Sequence, residues 1–331
     1  GEHRFRGNLF ARGQPDACHP AILDQDLVHI GAGANFAAIR FDQAAKGRHR
    51  RPCPAFDDRR ARSLRVVDFR SGPSPVKRAL VLGAARREGA ERIYTLVERD
   101  ECAAWTRMGF AREGNIPGFY KRSDAFVLGT IVGGDNAYEE NEQSGTRPAL
   151  TESGEDLETD RAYQAVRRAI KDVEALPAIA AKLSQVKPAD ADKPVAAALR
   201  SGRALTGFEP FGRDVIRSTF QCTARGGLSL WASVETQACF NNAFLELLTA
   251  PKTDKELALT SAAVRLLCDE LLRREVVGCF ALSPADDQRM SAVFPLHGFR
   301  RTGTLRGHIA LGPRRVDAFL WSRKLAQPAD S

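Results

Sequence analysis

Past residue 160 the apolar positions recur at helical steps. In "DRAYQAVRRAIKDVEALPAIAAKLSQV", Tyr163, Val166, Ile170, Val173 and Leu176 stand three and four residues apart, which lines one face of an α-helix. Pro177 stops or kinks it. After "KPADADKP", the segment "VAAALRSG" reads as a second short helix. The pattern then changes. "DVIRSTFQCTA", "LSLWASVE" and "NAFLELLTA" are rich in β-branched and aromatic residues and read as strands, with Gly226-Gly227 where a hairpin turn falls. "TSAAVRLLCDELLRRE" returns to helical spacing, with Thr260 or Ser261 as its natural N-cap, and "VVGCFALS" follows as a strand.

The first part of the chain ends in the same order of elements. "SLRVVDF" reads as a strand, "SPVKRALVLGAARREGA" as a helix, "ERIYTLVE" as a strand, "DECAAWTRM" as a short helix and "DAFVLGTIV" as a last strand. Arg86-Arg87-Glu88 matches Arg273-Arg274-Glu275, and Gly109-Phe110 matches Gly298-Phe299. Gly114 and Gly118 fall on Gly303 and Gly307 at one constant offset. Asp124-Ala125-Phe126 reaches Asp317-Ala318-Phe319 after a four-residue insertion. Agreement of element order with spaced glycines is the signature of an internal repeat. The acidic stretch "EENEQSGTRPALTESGEDLETD" has no apolar periodicity and reads as a linker. The expected organisation is therefore an N-terminal domain over 1–132, a flexible linker over 133–160 and a C-terminal domain over 161–331.

Composition excludes several classes. The 331 residues, 43% hydrophobic and 27% charged, suit a globular protein of two ordinary domains. No apolar run approaches a membrane span, and "GEHRFRGNLFARG" lacks the apolar core of a secretory signal. The seven cysteines are scattered without a CxxC pair, which suits reduced thiols and a cytoplasmic location and leaves a zinc site from Cys18, His19, His49 and Cys53 without regular spacing. No metal is expected. The net charge of +8 is concentrated between Arg48 and Arg65. Without interleaved aromatics or a helix-turn-helix, these arginines read as a solvated basic loop for an acidic or protein partner rather than as a nucleic-acid site. "VHIGAGANFAA" begins like a dinucleotide fingerprint, but Phe36 stands at the third glycine and no acidic residue follows near position 50.

A strand, a helix, a strand, a short helix ending in Gly-Phe and a closing hairpin resembles the C-terminal half of the GNAT superfamily, the acyl-CoA-dependent N-acyltransferases. "FPLHGFRRTGTLRGHIALGPRRVDAFLWSRKL" resembles that family's closing hairpin. "GFAREGNIPGFYKRSDAFVLG" is similar to a branch that includes β-lysine N-acetyltransferases. The resemblance covers about residues 62–131 and 240–325. It implies an α/β (α+β) fold with tandem copies, each a mixed central sheet flanked by helices. It also implies acetyl-CoA as co-substrate and a small-molecule or protein amine as acceptor.

In such a fold two parallel strands open a fork for the pantetheine arm, and backbone N–H groups at the following helix start cradle the pyrophosphate. The resemblance places Arg70, Ser71, Gly72 and Ser74 in the first such turn, and Lys252, Lys255, Thr260 and Ser261 in and after the second. Both turns depart from the family: Pro75-Val76-Lys77 replaces a glycine pair, and the second has no glycine. The family's leaving-group tyrosine is replaced by Trp105 in the first copy and Phe294 in the second. Tyr120 is the nearest hydroxyl, either a proton donor or a hairpin aromatic packing on its sheet. Asp68 and Glu246, in otherwise apolar strands, are the candidate bases if buried, and solvent-facing acids if strand alternation turns them out. Two functions follow: an N-acetyltransferase of a primary amine, or a catalytically degenerate tandem that senses acyl-CoA or scaffolds a partner.

Overall fold

A computed structural model describes residues 27–30, 37–41, 63–67, 73–87, 89–133, 154–205, 216–237, 239–311 and 314–326. It contains thirteen strands in one mixed sheet, with helices packed against it. The strands are β1 (Leu27–Ile30), β2 (Ala37–Phe41), β3 (Ser63–Val67), β4 (Arg92–Val97), β5 (Ala111–Ile116), β6 (Ala125–Ile131), β7 (Ala181–Val186), β8 (Ile216–Ala224), β9 (Leu228–Gln237), β10 (Asn242–Leu247), β11 (Gly278–Pro284), β12 (Arg300–Leu311) and β13 (Arg314–Lys324). The helices are α1 (Pro75–Arg87), α2 (Cys102–Arg107), α3 (Gly154–Glu174), α4 (Asp192–Arg200), α5 (Asp254–Arg273) and α6 (Gln288–Leu296).

The sheet order is β1-β2-β3-β4-β6-β5-β12-β13-β11-β10-β9-β8-β7. It is mirrored about the β5/β12 contact. Going outward on either side come two antiparallel neighbours, then a parallel pair, then antiparallel strands again. At the centre of the mirror Gly114 pairs with Gly303, the two glycines that the sequence offset superimposes. Neither position has room for a side chain. A Cβ on Gly303 would lie 2.4 Å from the Glu113 carbonyl oxygen, and one on Gly114 would lie 2.8 Å from the Gly303 Cα.

Local details recur on the two sides. The Gly118 N–H donates to Asp124 Oδ1 at 2.8 Å, and the Gly307 N–H donates to Asp317 Oδ1 at 2.8 Å. Both glycines have positive φ, +65° and +52°, a conformation costly for residues with a Cβ. Trp105 meets Phe110 edge-on, and Phe294 meets Phe299 in the same way.

Burial follows the alternation of the strands. On one face α1 and α2 cover Leu64, Val66, Ile93 and Leu128, while α3, α5 and α6 enclose the larger core around Leu245, Ala281, Phe294 and Trp321. The other face carries an apolar cluster joining Ile116 and Val127 to Phe244, Phe280, Leu305 and Leu320, and a smaller one in which α4 covers Trp231 and Leu248. The two closing hairpins cross over this junction. In the tip between β5 and β6, Phe119 packs on Phe280 and its carbonyl accepts the Asn242 side-chain amide at 2.7 Å. In the tip between β12 and β13, Arg315 reaches Glu91 at 2.9 Å and Ser63 at 3.1 Å, and His308 meets Tyr94 edge-on. Each hairpin thus lies against strands of the opposite side.

Several expectations change. α5 begins at Asp254, with Thr253 as N-cap accepting from the Glu256 N–H. Thr260 and Ser261 therefore sit inside the helix, and Thr260 is fully buried. The early fingerprint-like segment runs strand to antiparallel strand, β1 to β2, which is incompatible with the strand-to-helix turn of a dinucleotide site. Arg65 is not on a solvated loop: it is buried in β3, which is paired on both sides. The remaining arginines of the basic stretch, Arg48 to Arg62, lie outside the described residues. α3 starts inside the 133–160 stretch expected to be linker. Cys102, Cys222, Cys268 and Cys279 are free thiols, whereas Cys239 is disulfide-bonded, a departure from the all-reduced reading. Among the described residues no helix is long and apolar enough to cross a membrane, and no cluster of metal-ligating side chains occurs.

Candidate functional site

Parallel strands that stop pairing while both continue leave backbone groups open to a ligand. This chain makes two such forks. β3 and β4 pair from Ser63↔Arg92 to Val66↔Thr95; β4 runs on to Val97 unpaired with β3, whose described residues end at Val67. β10 and β11 pair from Asn242↔Gly278 to Leu245↔Ala281 and then separate. A helix follows the first strand of each pair, α1 after β3 and α5 after β10.

The two helix starts differ in charge and in access. α5 carries Asp254 and Glu256 in its first turn. The Glu256 carboxylate accepts the Lys252 N–H at 2.6 Å and pairs with Arg203 at 2.9 Å. Arg203 also donates to the Ala250 carbonyl from Nε at 2.9 Å and from Nη2 at 2.7 Å. The turn before α5 is thereby closed by the chain's own carboxylate, and a phosphate would meet two acids at the helix end that otherwise favours anions. α1 has no acidic residue in its first turn. Its first helical bond runs from the Arg78 N–H to the Ser74 carbonyl at 3.0 Å, and Val76 beside it is 66% exposed.

Lys77 and Arg78 lean from α1 onto α2. Lys77 Nζ lies 4.6 Å from the Trp105 ring centroid, and Arg78 Nε donates to the Met108 carbonyl at 3.2 Å. Burial pushes the Lys77 ammonium below its ordinary value, with Glu101 opposing the shift. Burial likewise raises the Glu101 carboxyl, helped by Asp100. The positions at which the sequence resemblance expects a tyrosine, Trp105 in α2 and Phe294 in α6, hold buried rings. Trp105 lies under Lys77, and Phe294 stacks on Trp321 with an 11° interplanar angle.

The candidate proton-transfer residues fall at different forks. Tyr120 is half-buried among Phe119 and Phe240, and its hydroxyl donates to the Leu96 carbonyl at 3.3 Å. Leu96 is the first β4 residue past the paired stretch, so the hydroxyl reaches the N-terminal fork. Both readings of Tyr120 meet here, hairpin packing and a hydroxyl at the fork. Glu246 is the first β10 residue past pairing at the C-terminal fork. It is 4% exposed rather than turned to solvent. It accepts from Ser233 Oγ at 2.6 Å and lies 3.9 Å from Arg217, which also pairs with the buried Glu235.

Of the residues expected to hold acetyl-CoA, Ser74 lies at the α1 start, and Lys252 and Lys255 flank the closed α5 start. Thr260 donates to the Glu256 carbonyl at 2.8 Å, and Ser261 meets His297 Nε2 at 2.9 Å, so neither faces that turn as an N-cap would. Asp68, Arg70, Ser71 and Gly72 lie outside the described residues. Sequence reasoning overlooked Glu256 and Arg203. The signal for Glu256 was present in the T-x-x-E spacing of Thr253 and Glu256 just before an apolar run; Arg203, distant in sequence, gave none.

No family model matches the chain, and no curated protein matches its sequence. Similar solved structures are N-acetyltransferases. The ribosomal-protein-S18-alanine N-acetyltransferase from Escherichia coli aligns at 18% identity over 46% of this chain and 98% of its own, with a TM-score of 0.35. The spermidine N-acetyltransferase from Vibrio cholerae, solved in complex with CoA and spermine, aligns at 11% identity over 44% of this chain and 95% of its own, with a TM-score of 0.37.

Proposed function

We propose that the chain is a tandem of two GNAT-like units in which the N-terminal fork binds acetyl-CoA and transfers its acetyl group to a primary amine. The C-terminal unit serves as its structural partner. The observation that carries this reading is the contrast between the helix starts: the first turn of α1 has no acidic residue and exposes Val76, whereas the start of α5 is closed by Glu256 and Arg203. The repeated fork, the mirrored strand order and the matching Gly–Asp hydrogen bonds support the tandem.

An amine that attacks a thioester carbonyl must lose a proton, and the departing sulfur must gain one. In this reading Tyr120 protonates the sulfur, its hydroxyl already held at the fork by the Leu96 carbonyl. Asp68, one residue past β3, accepts the amine proton through water. Ser74 and the exposed first turn of α1 hold the pyrophosphate, with the Lys77 and Arg78 charges behind them. Pro75 supplies no N–H there, so side-chain and helix-end charge carry more of the binding than in a glycine-rich turn.

Release of free thiol from acetyl-CoA, followed across a panel of primary amines, tests transfer. Tyr120→Phe is expected to lower kcat by about 100-fold while leaving acetyl-CoA affinity unchanged. Acetyl-CoA binding without thiol release with any amine would instead establish an acyl-CoA sensor.

A further inference from the structure

A second polar site lies away from both forks, on the seam where β5 meets β12. A cleft of about 620 Å³ opens there between the seam strands and the start of α3, within the usual size range of small-molecule sites, roughly 300–1,000 Å³. Gly303, paired with Gly114, is among its lining residues. Three arginines line it, Arg112, Arg301 and Arg306; the first two stand at the same offset as Gly114 and Gly303.

The two arginines are presented alike. The Arg112 guanidinium lies 4.2 Å from the Phe126 ring centroid, and that of Arg301 lies 5.6 Å from Phe319, the ring matching Phe126, and 4.1 Å from Tyr163. Stacking on a ring orients a guanidinium and leaves its edge donors available. Those donors are poorly used. Arg112 has no carboxylate partner among the described residues. Arg301 reaches only Asp160, at 3.3 Å and itself 70% exposed, a solvated pair of little strength. Arg301 Nη1 and the hydroxyl of its neighbour Thr302, which also lines the cleft, are buried without a hydrogen-bond partner. Glu113 adds little negative charge to the cleft, because it is held by the fully buried Arg92 and accepts the Arg306 N–H.

We infer that this cleft binds an elongated small molecule with an anionic group at each end, one held by Arg112 and the other by Arg301. Antiparallel pairing about Gly114↔Gly303 sets the two arginine Cα atoms at most four residues apart along the strands, up to about 13 Å, since each strand has a register shift between its arginine and its glycine. Two side chains reaching inward then suit end groups separated by a chain of several carbons. Guanidinium recognises carboxylate and phosphate by the same paired donors, so either can be the end group.

Calorimetric titration of the full chain with adipate and, separately, with 1,6-hexanediol bisphosphate tests the site. We expect saturable binding of one probe per chain, weakened at least about tenfold by Arg112→Gln and by Arg301→Gln and unaffected by Lys77→Glu. Monomethyl adipate, with one charge removed, should bind at least about tenfold more weakly than adipate. Preference between the two probes assigns carboxylate or phosphate as the end group. Failure of both to bind at 10 mM, or binding that Arg112→Gln leaves intact, overturns the inference. Arg112 packs at the surface, so its replacement keeps the test valid if Arg301→Gln fails to fold.

Discussion

Arg92, Glu113 and His308 form the polar centre of the contact between the two sides of the molecule. Arg92 is 0% exposed, pairs with Glu113 and donates from Nε to His308 Nδ1 at 3.1 Å. That bond requires Nδ1 to accept, so the buried imidazole is neutral. Desolvation, then Arg92 and Arg315, holds its pKa well below the ordinary histidine value. Unfolded, the same histidine takes a proton below about pH 6.5. The unfolded state then binds more protons than the folded one, so stability falls as pH falls. His297, lowered chiefly by burial and by Arg323, acts with the same sign. Thermal midpoints are expected to drop between pH 7.5 and pH 5, and His308→Gln should flatten, though not abolish, that slope; an unchanged slope would place His308 outside the linkage. None of this was legible in the sequence, because Arg92 and His308 are distant in the chain and only the fold makes them neighbours. Glu246 was legible as a candidate because a carboxylate in an apolar strand stands out, but its burial depended on β9 and β8 delivering Ser233 and Arg217 to the same face.

Strands and helices followed the apolar period closely where one face is buried. β6, β9, β10 and α2 lie where alternation or helical spacing put them. The start of α5 did not, because Leu257, Ala258 and Leu259 precede the most regular part of its apolar stripe, which opens at Thr260. The physical start is Thr253, which caps the Glu256 N–H at 3.2 Å. Thr253→Ala is expected to cost about 1 kcal/mol, measured as a lower denaturation midpoint with unchanged slope. Thr260→Ala should instead act as a core change, because its hydroxyl bonds within the helix and its side chain is buried. The crossing of the two hairpin tips had no local signal. Only the repeated Gly and Asp positions hinted that the tips share a shape.

At the scale of the whole molecule, the sequence offset that superimposes Gly114 on Gly303 is also the contact that joins the two sides of the sheet. The recurrence of spaced glycines can be read from sequence; the meeting of two of them across the sheet cannot, since nothing local to either glycine names its partner. The lack of space at the seam makes it testable. Gly303→Val is expected to destabilise the chain by about 2 kcal/mol or more, because the obstructing atoms are backbone and cannot rotate away. Gly278→Val is the control at a position with open space, and a loss there equal to that at Gly303 would contradict this view of the seam. The two helix starts differ in charge, with acids in the first turn of α5 and none in that of α1, and the central claim rests on that asymmetry. Calorimetric titration of the full chain with acetyl-CoA measures it most directly. The account predicts one molecule bound per chain, with binding lost in Lys77→Glu, which gives α1 the acidic first turn that α5 already has, and retained in Lys252→Glu. No binding at millimolar acetyl-CoA, two molecules per chain, or loss of binding in Lys252→Glu alone would contradict it.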